Sequence, residues 1–217
     1  MTARGIDAQR APIALDGRAL GRRGVRTRRR MLDATAELLE THGVRDLRVV
    51  DIARAVGASP ATFYQYFHDV EEAVLALSEE VGAEIGPLAG LLDGSWAGAD
   101  RRRAVRELVE GFLDHWDRHR AVLRTRNLAA QEGDPRFRDV RHQALHPFLV
   151  AFAALVSDGQ AAGRGAPELS PVATGSALVA LLERMAAFHR DLEPMGVSRG
   201  DLVETTARII HQTVVGV

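Results

Sequence analysis

Apolar residues along the first third of the chain recur at spacings of three and four, the period of an amphipathic helix. One stripe covers residues 31–39 and is expected to end at Gly43, and a second covers 47–56 and stops at Gly57. A Ser-Pro pair, typical of a helix start, opens a third short helix predicted over 59–67. Three helices in about forty residues, the last two joined by a tight turn, are typical of a helix-turn-helix.

The helical period continues through the rest of the chain. Asp-Pro, Ser-Pro and Ser-x-x-Asp sequences stand where three of these helices should begin. An alternating pattern typical of strands is not found in the sequence. We therefore predict an all-α protein of about nine helices. The later ones are expected at 101–118, 119–130, 135–162, 171–191 and 199–215.

These patterns predict three parts: a flexible Arg-rich tail (1–22), a helix-turn-helix domain (23–68) and a larger helical domain (69–217). The content of 46% hydrophobic and 26% charged residues is that of a globular chain. No apolar run reaches the roughly 18 residues of a membrane span, and the N terminus lacks the apolar core of a secretion signal. We expect a cytoplasmic protein. The lack of cysteine excludes disulfides and Cys-ligated zinc.

Charge is segregated along the chain although the net charge is only -1. Residues 1–68 carry an excess of basic groups, and residues 69–217 carry an excess of acidic ones. Seven arginines and no acid lie between Arg18 and Arg30, directly before the first helix. Such a run is either a solvated tail or a contact to DNA phosphates or an adjacent minor groove. We favour the DNA contact, with Arg26 and Arg28 as its main participants.

The third helix has two different faces. Phe63 and Phe67 form an apolar i,i+4 pair that should pack on the first two helices, while Ala61, Thr62 and Gln65 lie on the other side with Tyr66. Thr62 could contact a thymine methyl or a base edge, and Gln65 could pair with adenine. Because any short helix has a polar face, this arc alone is weak support for DNA binding.

The whole segment from Val49 to Leu77 resembles the DNA-binding signature of the TetR family of bacterial transcriptional regulators. The matching elements are Asp51-Ile52-Ala53, Gly57, Ser59, Thr62-Phe63-Tyr64, Tyr66-Phe67, and Glu71-Glu72 with Leu75. The resemblance covers about residues 26–77 and implies that Ser59, Tyr64 and Tyr66 contact phosphates. The DNA-binding set that we predict is Arg26, Arg28, Arg48, Ser59, Ala61, Thr62, Tyr64, Gln65 and Tyr66.

Two positions depart from the family pattern. Family members usually carry Thr at the start of the second helix and Lys after the Tyr-Phe pair, where this chain has Arg48, Val49 and Val70. Arg48 is expected to replace the threonine contact, but Val70 cannot donate to a phosphate. The alternative is therefore a helical ligand-binding or interaction protein that has lost operator binding.

The resemblance implies that the C-terminal part binds a ligand and dimerises. Two aromatic i,i+4 pairs, Phe112/Trp116 and Phe148/Phe152, serve either as core or as the lining of a cavity, with Asn127 as its polar group. For the homodimer we predict a four-helix bundle made by the last two helices of each subunit. Its interface residues would be Leu178, Leu181, Leu182, Met185, Phe188, Ile210 and Val214.

The resemblance further implies a repressor that a small apolar effector releases from a pseudo-palindromic operator of double-stranded DNA. No nucleophile elbow, phosphate-binding Gly-rich loop or dinucleotide motif occurs, so we predict no enzyme and no cofactor. The pairs His115/His119 and His142/His146 have ligand spacing but lack an H-E-x-x-H context, so no metal is predicted. Glu183 is expected in a surface ion cluster near His189.

Overall fold

The computed structural model describes Leu15 and residues 18–93, 99–164 and 166–215. The predicted all-α class is confirmed: these residues form eight α-helices, and their only β feature is a one-residue bridge at Ala19. Short 3-10 helices cover Gly86–Leu92 and Glu193–Met195. The α-helices are α1 Arg22–Leu39, α2 Val49–Ala55, α3 Pro60–Phe63, α4 Val70–Ile85, α5 Ala99–Gln131, α6 Pro135–Ala161, α7 Pro171–Leu192 and α8 Arg199–Val215.

The chain divides into two compact units, Met1–Leu77 and Ser78–Val217, and the division falls inside α4. Most of the predicted tail, 1–22, lies outside the described residues. The boundaries predicted at residues 22 and 68 stay predictions.

The first unit packs α1, α2 and α3 around one small core. Phe63 and Phe67 are fully buried with ring centroids 5.3 Å apart, as their spacing predicted. Gly57 has a φ of +66°, which only glycine adopts without strain, and so makes the turn between α2 and α3. Gly43 does not adopt this left-handed backbone, so its assignment as the residue closing α1 is wrong. Other large core side chains of this unit include Met31, Leu32, Leu39, Leu47, Ile52 and Val56.

Helix α3 is shorter than predicted. It ends at Phe63, and residues 64–66 continue as turns in which the Tyr66 N–H donates to the Phe63 carbonyl at 2.9 Å. The turns keep Phe67 close to the helical register, since its N–H also donates to the Phe63 carbonyl, at 3.1 Å. The predicted separation of an apolar face from a polar face is therefore kept, although the helix ends early.

The second unit contains the C-terminal half of α4, the two 3-10 helices and helices α5 to α8, which pack on one another. Helix α5 is broken at His119, whose φ of -122° and ψ of 23° are not helical, at the boundary between the two segments expected from the sequence. Helices α6 and α7 approach closely at Gly175, where a Cβ would stand 2.9 Å from the Leu149 carbonyl oxygen. The cap sequences start their helices as predicted, with Asp134 and Ser170 accepting backbone N–H groups of α6 and α7.

The segment Pro171–Met195 is long and apolar enough to cross a membrane by length and composition. Its middle, however, carries Glu183, which pairs inside the second unit with Arg126 and Arg141. Leu182 and Ala186 on the same helix are buried against the rest of the unit. One face of helix α7 therefore packs into the core of a folded unit.

Candidate nucleic-acid interface

Ser59 organises the start of α3. Its Oγ accepts the Thr62 N–H at 3.2 Å and lies 3.0 Å from the Thr62 Oγ1. An N-cap of this kind satisfies a backbone donor that would otherwise lack a partner. The hydrogen bond between the two hydroxyl groups orients the Thr62 side chain in the absence of a ligand.

The other predicted reading residues lie at the surface around this cap. Ala61 and Gln65 are exposed, Thr62 and Tyr66 are half-buried, and Tyr64 keeps 53% of its surface exposed. The Tyr64 ring meets Phe63 edge-on at 5.9 Å between centroids, which supports it from the core side. Arg48, at the start of α2, is exposed as well.

Ser59, Thr62, Gln65 and Tyr66 line one groove of about 670 Å³ together with the basic face of α1. The guanidinium groups of α1 supply positive charge, and the hydroxyl and amide groups near α3 supply hydrogen-bond donors and acceptors. Positive groups suit phosphates, and neutral polar groups suit base edges. The groove is lined by Arg23, Gly24, Arg26, Thr27, Arg30, Val56, Gly57, Ala58, Ser59, Thr62, Gln65 and Tyr66.

The arginines of α1 have different surroundings. Arg26 lies in the groove, as expected of a DNA contact, whereas Arg28 stacks over the buried ring of Phe67 at 5.1 Å. Arg30 lines the groove and also donates to the Val56 carbonyl at 2.7 Å, which ties α1 to the end of α2. Arg23 and Arg30 were not among the predicted DNA-binding residues. Positions 23, 26 and 30 lie on one face of a helix, so their spacing in the sequence could have identified both residues.

A residue of the predicted tail also reaches this unit. The Leu15 N–H donates to the Gln65 carbonyl at 3.1 Å, directly after α3. The sequence predicted no contact for Leu15, and no motif marks it.

The residues predicted to bind a ligand lie in the second unit, and their aromatic members are all buried. Phe112, Trp116, Phe148 and Phe152 are each at most 3% exposed, and Phe112 meets Phe148 edge-on at 4.9 Å. The structure thus brings the two aromatic pairs together. Whether they contact a ligand stays a prediction.

Asn127 belongs to a network of buried charges. Its Nδ2 donates to the Glu183 carboxylate at 3.2 Å, and its Oδ1 accepts from the Arg126 Nε at 3.0 Å. Arg126 and Arg141 also donate to Glu183. Burial is the main cause that lowers the pKa of Arg126 to about 10, while the Glu183 charge acts in the opposite direction.

The prediction that Glu183 lies in a surface cluster is wrong. Its side chain is only 8% exposed because it bridges α7 to the two arginines of α5 and α6. His189 is buried too, and its Nε2 lies 3.2 Å from an Asp117 oxygen. Sequence spacing could not reveal these partners, because they come from distant helices.

The predicted dimer residues fall into three groups by burial. Leu178, Leu182, Ile210 and Val214 are buried within the protomer, so they are core residues here and offer no surface to a second subunit. Their assignment to an interface is corrected accordingly. Phe188 is exposed, with the Arg184 guanidinium stacked 3.5 Å over its ring. The two intermediate positions are Leu181 and Met185.

The histidine pair on α5 has a partner that its spacing does not reveal. His119 Nε2 lies 2.7 Å from the Glu84 Oε2, and the rings of His115 and His119 are 5.0 Å apart. Burial, assisted by the charges of His119, Arg118 and Arg126, lowers the pKa of His115 to about 3. The His115 ring is therefore neutral at pH 7.

A compact three-helix unit that presents a capped short helix beside a basic helical face defines a helix-turn-helix DNA-binding protein. Models of known protein families match most of the chain and support this class. Residues 31–77 match the model described as bacterial regulatory proteins, tetR family, and residues 88–217 match that of the tetracyclin repressor-like C-terminal domain. The chain belongs to the TetR family of transcriptional regulators.

Curated relatives and solved structures agree with this assignment. The chain is 29% identical over 191 residues to the HTH-type transcriptional regulator EthR of Mycolicibacterium smegmatis, with 84% of each chain covered. It is 35% identical over 92 residues to EthR of Mycobacterium tuberculosis, covering 42% of this chain and 43% of that one.

Two solved structures share the fold. FadR from Bacillus subtilis in complex with stearoyl-CoA has a TM-score of 0.63 at 16% identity, with 87% of this chain and 98% of that chain covered. The fatty acid degradation regulator FadR from Bacillus halodurans also has a TM-score of 0.63, at 18% identity, with 87% and 94% covered.

Proposed function

We propose that this protein is a cytoplasmic repressor whose DNA-reading groups are those of the groove between α1 and α3. The observation that carries the proposal is that three arginines of α1 line the same groove as Ser59, Thr62, Gln65 and Tyr66. Phosphate contacts and base contacts would then be made from one surface, as specific recognition requires. This role needs no catalytic group.

The operator we propose is pseudo-palindromic and is bound by a homodimer. A two-fold dimer reads two half-sites about one helical turn, or a multiple of it, apart. The face of α7 that the protomer leaves uncovered carries Val172, Ala177, Ala180 and Phe188, with the exposed polar side chains Ser176 and Arg184 among them. Small residues allow helices of two subunits to approach closely, so we assign the dimer contact to this face.

The effector we propose is an apolar molecule that binds in the second unit near its aromatic cluster. Phe112, Phe148 and Phe152 supply apolar surface there, and Asn127, held by Arg126 and Glu183, is the polar group that we propose for the same ligand. The structure of Bacillus subtilis FadR is a complex with stearoyl-CoA, which makes a long acyl chain the first probe to use. Whether the effector is an acyl compound or a drug-like molecule is decided by the test below.

Release from DNA would result from a shift in population between a DNA-binding and a released conformation of the dimer. The effector would favour a state in which the two reading surfaces of the dimer no longer fit successive grooves, and α4, which contributes residues to both units, would transmit the change. Changing occupancy from about 99% bound to 99% free requires about 10⁴-fold tighter effector binding to the released state.

Two binding experiments test the proposal. Duplexes enriched from a random pool by the purified full chain should contain an inverted repeat, and stearoyl-CoA or another apolar ligand of a small panel should release them. Enrichment with no repeat would contradict the dimeric operator, and an effector that tightens binding would contradict the direction of control.

A second candidate, a helical protein that no longer binds an operator, rests on Val70. This residue begins α4 where a lysine is usual in the family, and it cannot donate to a phosphate. A pool from which no duplex is enriched over several rounds would favour this second candidate.

A further inference from the structure

We propose that Glu84, His115 and His119 form a binding site for a divalent transition metal ion, with Zn²⁺ as the preferred ion. One ligand atom from each residue can be chosen so that all three lie within 4.8 Å of one another. All three residues belong to the second unit. The inference does not depend on the proposed operator or effector.

The donor set suits such an ion. Two imidazole nitrogens and one carboxylate oxygen are ligands that Zn²⁺ commonly uses, at about 2.0–2.2 Å from the metal. Ligand atoms at that distance from a tetrahedral metal ion lie about 3.3 Å from one another. The side chains would therefore have to move by about 1 Å to coordinate the ion. With three protein ligands, the fourth position is left to water or to another ligand.

Two helices bring these donors together. Glu84 lies in the last turn of α4, and both histidines lie on α5, one helical turn apart. The helical path of α5 breaks at His119, the residue that already holds the Glu84 carboxylate at 2.7 Å. A bound ion would replace this hydrogen bond with two coordinate bonds and would fasten the end of α4 to α5.

Access and charge are compatible with this role. His115 is 3% exposed, whereas the side chains of His119 and Glu84 are 22% and 48% exposed, so an ion can enter from the solvent side. The nearby guanidinium groups of Arg118 and Arg126 oppose a cation. Glu84 supplies the negative charge that counteracts them, and we expect its loss to weaken binding strongly.

The test uses the full-length protein after removal of metals with EDTA. Co²⁺ is titrated while its visible absorption bands are recorded, and Zn²⁺ is then added to displace it. We expect one Co²⁺ per chain with the bands of a low-coordinate nitrogen and oxygen site, displacement by Zn²⁺, and a higher thermal midpoint with Zn²⁺.

Two ligand variants and one control decide the result. His119→Ala and Glu84→Gln, at partly exposed positions, should remain helical by circular dichroism and lose at least about 100-fold in Zn²⁺ affinity. His142→Ala disrupts the exposed histidine pair of α6 and should leave the affinity unchanged. No binding by the unaltered protein would overturn the proposal. Binding that survives both ligand variants, or that disappears in His142→Ala, would also overturn it.

Discussion

In the proposed DNA-binding groove, individual side chains are expected to have distinct tasks that follow from their chemistry and surroundings. Thr62 is held by the Ser59 hydroxyl and presents a methyl and a hydroxyl to the groove. Arg26 carries a charge that any phosphate would attract, whatever the sequence beside it. Base recognition and general affinity should therefore respond to different substitutions.

Replacing Thr62 by Ala should reduce sequence discrimination. The Ser59 cap can still accept the residue 62 N–H, so the fold is kept, while one base contact is lost. We expect a loss of about 1–3 kcal/mol on the enriched duplex and little change on random DNA. Competition binding measures both affinities, with Thr205→Ala, at an exposed position of α8, as control. Equal weakening on both duplexes would show that Thr62 only positions the protein.

The charge network of Glu183 should contribute to stability because it compensates a buried cation. Glu183→Gln leaves Arg126, 3% exposed, beside Arg141 without a carboxylate. Breaking a buried pair in this way costs about 3–5 kcal/mol in the free energy of unfolding. Adding Arg126→Met should recover much of the loss. Urea denaturation of both variants checks this, and a loss below about 1 kcal/mol in the single variant would contradict it.

Helices and their starts were largely predictable from the sequence, because caps and apolar periodicity are local. The segments expected at 135–162 and 171–191 are α6, Pro135–Ala161, and α7, Pro171–Leu192. The end of α3 was not predictable, since its turns keep the same apolar register as a helix. Contacts between helices were missed because they join distant residues, such as Glu84 with His119 and Arg126 with Glu183.

The close approach of α6 and α7 makes a prediction about Gly175. A Cβ at this position would lie 2.9 Å from the Leu149 carbonyl oxygen and 3.1 Å from the Ala153 nitrogen, both backbone atoms that cannot rotate away. We expect Gly175→Ala to lower the free energy of unfolding by about 1–3 kcal/mol.

Gly200, in the first turn of α8, is the matched control for Gly175. Its nearest neighbour to a new Cβ is the Ser198 Oγ, 3.8 Å away. Gly200→Ala should therefore leave stability unchanged or raise it by about 0.4–1 kcal/mol, since the unfolded chain loses freedom. Thermal denaturation compares the two variants. Equal effects would show that α6 and α7 can separate to admit a methyl group.

The assembly of the whole molecule depends on which apolar residues the protomer leaves uncovered. Periodicity alone could not separate core from interface, because both require apolar side chains at helical spacing. Burial makes the distinction: Leu178 is 4% exposed within one chain, whereas Ala180, two residues later, is exposed. The proposed dimer contact therefore falls on the exposed face around Ala180.

Replacing Ala180 by Arg should therefore dissociate the proposed dimer. A long charged side chain there prevents close helix approach and cannot be buried without a partner charge. Sedimentation velocity should show a dimer for the unaltered chain and a monomer for Ala180→Arg. Ala83→Arg, an exposed position on α4, should stay dimeric. A dimer that survives Ala180→Arg would place the interface elsewhere.

Sequence-specific DNA binding through the α1–α3 groove can be tested by fluorescence anisotropy over a series of salt concentrations. The enriched duplex should bind at least about 10³-fold more tightly than a scrambled one. Its affinity should fall steeply with salt, and Arg26→Ala should reduce the slope by about one unit on both duplexes. Equal and weak binding to both duplexes, or a salt slope unchanged by Arg26→Ala, would contradict sequence-specific DNA binding through this groove.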